Sequence, residues 1–188
     1  MVVCQYGDYD FVPAALIPEA RLALRLNPAE LTSHWRRCSL LSDFIGGYVA
    51  SAFALGAKMV ESDVYNSVST IFQELIENAA KFSRQRDATI AIELCHFDRL
   101  IAVEIKNDAT VSMAQEFERY IQRILATSDL DEMYRDILEK HRLTDSRSGI
   151  GLLLLIKDYG LRLGVRFART GDEGTTVTVR AFYFIGDE

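Results

Sequence analysis

The chain has 188 residues, with 21 Lys and Arg against 27 Asp and Glu, a formal charge of −6 and 49% apolar residues. A chain of this length buries roughly 70% of its unfolded surface, enough for one well-packed core, and the composition excludes the collagen-like, low-complexity and disordered classes. The acidic balance, with no block of Lys or Arg, argues against a nucleic-acid partner held through its phosphates; it leaves a mononucleotide open, because a few local donors suffice for one.

Cys4, Cys38 and Cys95 are scattered and odd in number, so their spacing offers neither a disulfide framework nor a C-x-x-C pair. A reducing cytoplasm is the expected compartment. The opening MVVCQYGDYDFVP lacks the basic and apolar regions of a secretory signal. The most apolar window, Leu40 to Leu55, is shorter than the roughly 20 residues a membrane span needs and carries Asp43. It reads as a buried helix, and no membrane contact is expected.

In chain order, MVVCQYGDYDFVP is an edge strand or extended arm. Asn27-Pro28-Ala29-Glu30 then starts a helical region, with Asn27 as cap, Pro28 at the first helical position and Glu30 reaching back to the cap. Helix continues through HWRRCSLLSDFIGGYVASAFAL, with a break expected near Gly46-Gly47. Residues 1–61 are thus an arm and helical cap, and 62–188 form the main domain. From Ser62, positions at about 100° each put Val64, Val68, Ile71, Phe72, Leu75, Ala79 and Phe82 in one stripe, the core face of an amphipathic helix. Two β-branched runs, Ala88 to Cys95 and Leu100 to Asn107, make a hairpin across His96-Phe97-Asp98-Arg99. Ser112 with Gln115 has the form of a capping box and opens a helix to Ala126; Ser128 to Asp131 opens another to about His141. SRSGIGLLLLIKDYG is a Gly-containing turn feeding a helix, followed by strands at Leu163 to Arg169 and Thr175 to Phe184. This order predicts a two-layer α/β sandwich with a mixed, mainly antiparallel sheet and an N-terminal helical extension.

The helix from Ser62 also carries the chemistry. Glu74, Asn78 and Lys81 fall within about 60° of one another beside the apolar stripe, at the rim of the core. Such a row can accept a proton, hold Mg²⁺ through oxygen and neutralise phosphate; solvated boundary charges give the same pattern. In Ser146-Arg147-Ser148-Gly149-Ile150-Gly151, small residues open a helix whose free N–H groups and dipole suit an anion, with Arg147 able to add a charge-assisted contact. Neither G-x-G-x-x-G after a strand nor G-x-x-x-x-G-K-[ST] is present, so the Rossmann and P-loop readings fail. His34, His96 and His141 lack metal-ligand spacing.

FQELIENAAKFS resembles the N-box of the GHKL nucleotide-binding superfamily, which holds histidine-kinase ATP domains, anti-sigma-factor serine kinases, gyrase B and the heat-shock chaperone. SGIGLLLLIKDYG resembles its second glycine box, and GTTVTVRAFY the Gly-Thr strand that ends the domain. The similarity runs from about Ser62 to Glu188, looks closest to the stand-alone anti-sigma-type kinases, and implies a Bergerat-type sandwich. It implies ATP and Mg²⁺ as ligands, Glu74 as general base, Asn78 as Mg²⁺ ligand and Lys81 near the phosphates. Gly149 and Gly151 would form the phosphate-contacting turn, with Thr175 near the adenine. The superfamily's first glycine box, D-x-G-x-G, is not kept: Ile105-Lys106-Asn107-Asp108-Ala109-Thr110 stands in its place. Asn107 takes the position of the adenine-binding acid, Asp108 would do so after a one-residue shift, and both glycines are lost.

The resemblance implies an ATP-binding regulator that phosphorylates or sequesters a protein partner, an antagonist-type or sigma-factor-type regulator, in bacterial partner switching. The alternative is a non-catalytic protein that keeps the scaffold and uses a degenerate pocket for another nucleotide-like or flavin-like ligand. A third reading makes the N-terminal helices a homodimer face through Trp35, Phe44, Tyr48 and Phe53.

Overall fold

The structure is a computed structural model that describes residues 3–12, 16–53, 61–84, 88–143, 150–170 and 174–186. Alternating burial marks β3 (Ile90–Phe97) and β4 (Leu100–Thr110), whose Ile90, Ile92, Leu94, Ile101, Val103 and Ile105 all point to one buried face. The two strands form the expected hairpin, but with a tighter turn. His96 and Phe97 join the ladder opposite Ile101 and Leu100, leaving Asp98-Arg99 to reverse the chain. Asp98 takes φ +47°, a left-handed conformation that a short carboxylate side chain tolerates.

β6 (Gly174–Phe184) pairs with β4 along its whole length, and β5 (Arg162–Thr170) pairs with β6. Both edges come from the first 26 residues: β1 (Val3–Gly7) lies on β5, and β2 (Ala20–Leu26) lies on β3. The sheet order is therefore β1-β5-β6-β4-β3-β2, with every pairing antiparallel, so the parallel component of the expected mixed sheet is absent among the described residues. Edge strand β2 has no counterpart in the sequence reading. In ARLALRL the leucines alternate inward with outward Arg21, Ala23 and Arg25, yet Ala, Leu and Arg are strong helix formers.

Six helices are described, and they cover one face of the sheet in a two-layer α/β sandwich. They are α1 (Pro28–Ser33), α2 (Arg36–Phe53), α3 (Glu61–Lys81), α4 (Val111–Ala126), α5 (Leu130–Leu143) and α6 (Gly151–Tyr159). Asn27 caps α1 as expected, its side chain accepting from the Ala29 N–H at 2.8 Å; Glu30 turns to Arg37 at 3.2 Å rather than to the cap. The break between α1 and α2 falls at His34-Trp35, not at Gly46-Gly47. Gly46 serves close packing: a β-carbon there would sit 2.9 Å from the Tyr65 carbonyl oxygen of α3. The cap of α4 is Thr110, whose hydroxyl accepts from the Met113 N–H at 3.2 Å, so Ser112 lies inside the helix and pairs with Thr110 at 3.1 Å. Asp129 caps α5, accepting from the Glu132 N–H at 2.8 Å.

α3 is the axis of the helical layer. Val64, Val68, Ile71, Phe72, Leu75, Ile76 and Ala79 are all buried, and α1, α2, α6 and β4 pack against it. Full burial of a side chain such as Phe72 or Ile76 stabilises by about 1.5–3 kcal/mol, and Phe72→Ala would remove about 3–5 kcal/mol through the cavity it leaves.

The opposite face of the sheet is held by polar pairs. Arg180 meets Glu104 at 2.7 Å and Arg21 meets Glu93 at 3.0 Å. After β1 the chain lies over β5 and β6. Tyr9 packs between the Arg166 and Arg180 guanidinium groups at 4.8 and 4.3 Å, and Phe11 stacks on Arg162 at 4.1 Å. No described helix is long and apolar enough to cross a membrane.

Candidate functional site

Where the C-terminal half of α3 crosses β4 and β6, the helical layer leaves a cavity of about 30 Å³, which is water-sized. Leu75, Asn78, Ala79 and Phe82 of α3 and its end line one side. Asn107 and Ala109 of β4 and Val177 and Val179 of β6 form the floor, and Met113, Phe117 and Leu152 close the top. Strand parity dictates this floor. Ile105, Asn107 and Ala109 share the helix-facing side of β4, and their partners Val179, Val177 and Thr175 share that side of β6.

Asn107 is the polar interruption of that floor and is 4% exposed. Its Nδ2 donates to the Phe82 carbonyl oxygen at 3.3 Å. A carbonyl only accepts, so it fixes the amide orientation and leaves Oδ1 as an acceptor with no hydrogen-bond partner among the described residues. The side chain of Asn78, half-buried on the same cavity wall, has no hydrogen-bond partner among the described residues either.

One helical turn before Asn78, Glu74 reaches the N-terminal end of α6. A β-carbon at Gly151 would meet its carboxylate, the end of a flexible side chain that would then have to shift. Burial pushes the Glu74 carboxyl above its ordinary pKa, and the neighbouring Glu77 charge adds to the rise. Tyr120 of α4 borders the same spot. Burial raises its phenol, a hydrogen bond with the Leu153 backbone and the Arg123 charge oppose the rise, and the Glu74 charge adds to it. Glu74 therefore sits beside the first turn of α6, where free N–H groups and the helix dipole favour negative charge.

The remaining expected residues divide. Lys81 is at the exposed end of α3, with Nζ 5.6 Å from the centre of the Phe82 ring. Thr175 is buried on the helix-facing side opposite Ala109, one rung beyond the cavity wall at Val177. Asp108 points to the other face, where its carboxylate accepts from the Thr176 hydroxyl at 2.6 Å. The alternative in which Asp108 replaces Asn107 is therefore a correction: a one-residue slip in a strand exchanges faces, and Asp108 already has its partner there. Arg147 and Gly149 lie outside the described residues.

Two aromatic residues matter more than the sequence alone indicated. Phe82 and Phe117 stack at 5.8 Å with their planes 24° apart and fill the space between Asn107 and α4. Phe82 reads from sequence as one more core residue of the α3 stripe; Phe117 carries no signal beyond the apolar face of α4. Arg84 also arrives at this end, its backbone N–H bonded to the Asp108 carbonyl at 2.6 Å and its guanidinium beside Gly174. Among the described residues no group of three or more His, Cys, Asp or Glu could hold a metal ion by itself. Chemically, the site offers a carboxyl whose pKa burial raises, a half-buried carboxamide and the amide oxygen of Asn107 on one helix and one strand. A comparison with protein-family models and with curated proteins found no match for this chain.

Proposed function

We propose that this chain is a nucleotide-binding regulatory protein of the GHKL type that transfers a phosphoryl group to a Ser or Thr of a partner protein. One observation carries the reading: the Asn78 and Asn107 side chains line one cavity with acceptors that no described residue satisfies, and Glu74, one helical turn before Asn78, lies against Gly151 at the start of α6. Spare hydrogen-bonding groups on a cavity wall beside a carboxyl whose pKa burial raises support a ligand site.

The polar set fits ATP and Mg²⁺. Asn107 Oδ1 can accept from an exocyclic amine, the Asn78 carboxamide is an oxygen ligand suited to Mg²⁺, and Lys81 can neutralise phosphate. The space does not fit a purine while Phe82 and Phe117 are stacked, because about 30 Å³ holds a water rather than a ring. Entry of a base requires these two rings to part. When bound, ATP supplies the transferable phosphoryl group. Glu74 would take or orient the proton of the incoming hydroxyl, a role open to a carboxyl whose pKa burial raises. The free N–H groups of the α6 first turn would face developing negative charge. The partner is a small antagonist-type or sigma-factor-type regulator, and the cytoplasm is the proposed compartment.

The same cavity favours a second reading. Its closure, with Ala109 where the superfamily has glycine, suits a non-catalytic scaffold that holds another nucleotide-like or flavin-like ligand and acts through protein contacts. Incubating the protein with Mg-ATP and candidate partners separates the two. Transfer that vanishes in Glu74→Ala while nucleotide binding persists supports the kinase; full transfer in Glu74→Ala overturns the base assignment; binding with no transfer in the wild type supports the scaffold.

A further inference from the structure

The outward side of α2 is an unusual surface. Ile45, Val49 and Ala50 turn inward and are buried, while Leu40, Phe44 and Tyr48, one turn apart, are 59%, 58% and 41% exposed. At about 100° per residue they share a stripe with Gly47 and Ser51, and nothing lies within 4 Å of where a Gly47 β-carbon would be. Asp43 beside the stripe is tied back to α3, accepting from the Tyr65 and Ser69 hydroxyls at 3.0 and 3.2 Å. Three large side chains of about 200 Å² each leave roughly 300 Å² of apolar surface open here, the size of patch that marks interaction sites on single chains.

The charges on α2 say what covers it. The helix opens with Arg36 and Arg37 at its positive end and has no acidic residue in the first turn and no basic residue in the last. Within one helix the arginines oppose the dipole at the N-terminal end, and the C-terminal end has no cation to match it. A second copy of the same helix, laid antiparallel across a twofold axis at Phe44, supplies that cation. Each Arg36-Arg37 pair then lies at the last turn of the other helix, Leu40 meets Tyr48 of the partner subunit, and Phe44 meets Phe44 of the partner subunit. The stripe is thus self-complementary, as an isologous interface requires, and Gly47 allows axes to approach to about 8–10 Å. We infer that the outward face of α2 is the site of a homodimer, two copies packing antiparallel through Leu40, Phe44 and Tyr48. The area is below the roughly 800 Å² per partner of a standard interface, so the dimer is weak and depends on concentration.

Sedimentation equilibrium of the full chain from about 1 to about 200 µM tests this. The wild type should pass from monomer to dimer across that range. Phe44→Glu should weaken association at least about 30-fold with an unchanged circular dichroism spectrum, since a residue 58% exposed is not needed for the fold. If that variant misfolds, Leu40→Gln and Tyr48→Gln carry the test. Arg36→Gln with Arg37→Gln should also weaken the dimer; tighter association would mean a parallel pair and overturn the antiparallel one. A wild type that stays monomeric at the top concentration, or a Phe44→Glu variant that dimerises like the wild type, overturns the proposal.

Discussion

The two faces of the sheet handle polar residues in opposite ways. The open face carries a groove of about 400 Å³, more than ten times the volume of the helix-side cavity, and it is rich in charge. Yet its charges are matched: Arg21 with Glu93, Arg180 with Glu104, and Asp10 with the Gln5 amide at 2.7 Å. On the covered face the polar residues are few, and the side chains of Glu74 and Asn78 and the Asn107 side-chain oxygen have no hydrogen-bond partner among the described residues. Size and charge favour the groove as a binding site; unsatisfied acceptors favour the cavity. The cavity is the stronger candidate because a matched charge pair gains little from a ligand, whereas a spare acceptor on the cavity wall gains a hydrogen bond. Tyr9 is the exception on the open side. Its hydroxyl is the one buried side-chain polar atom without a partner among the described residues, and burial raises its phenol, but its ring is enclosed by two guanidinium groups and it lines neither space.

Substitutions on the two faces should therefore separate. The largest effect is expected at Glu74: Glu74→Gln should cut phosphoryl transfer at least about 1,000-fold, at the strong end of general-base effects, while nucleotide affinity measured by calorimetry changes little. Asn78→Ala should come next, removing the Mg²⁺-dependent part of that affinity, about 10- to 100-fold, and leaving the Mg²⁺-free part intact. Phe117→Ala should cost about 3–5 kcal/mol in chemical denaturation, because the ring is 9% exposed and packs on Phe82 and Phe167. If the stacked rings limit entry, the same variant binds nucleotide more tightly despite its lower stability.

Asn107→Asp sharpens the comparison further. It sets a carboxylate against the Phe82 carbonyl, and it should cost about 1–3 kcal/mol without improving ATP affinity. On the open face, Glu93→Ala should change stability by less than about 1 kcal/mol and leave ligand binding unchanged. Equal effects of Asn107→Asp and Glu93→Ala on binding would break the distinction between the faces. Acidity gives a last, small test. The Glu74 carboxyl is raised in the folded chain, so its contribution favours folding at low pH and is lost as pH rises through the folded-state value. The melting-temperature difference between Glu74→Gln and wild type should consequently grow in the variant's favour from acid to neutral pH.

Much of this architecture was legible in the sequence where a period was long and clean. The α3 stripe from Val64 to Ala79 and the β3–β4 hairpin were readable because many apolar residues repeat one spacing. β2 was not, since seven residues of Arg, Leu and Ala prefer helix until an edge is available to pair with. Glu74 and Asn78 were visible as a polar row because helical geometry is local. The proximity of Glu74 to Gly151 was not, because it depends on how α6 packs on α3 across more than 70 residues of chain. The closure of the cavity was the least readable feature: Phe82 and Phe117 look like ordinary core residues, and only their stacking against Asn107 shows that they occupy the space a planar ligand would need.

The central claim is that the cavity end of α3 takes a nucleotide. Native mass spectrometry of the full chain, with and without Mg-ATP at millimolar concentration, tests it most directly. The account predicts one nucleotide per chain, lost in Asn107→Leu and weakened in Asn78→Ala. No adduct in the wild type, or an adduct that Asn107→Leu retains in full, would contradict it.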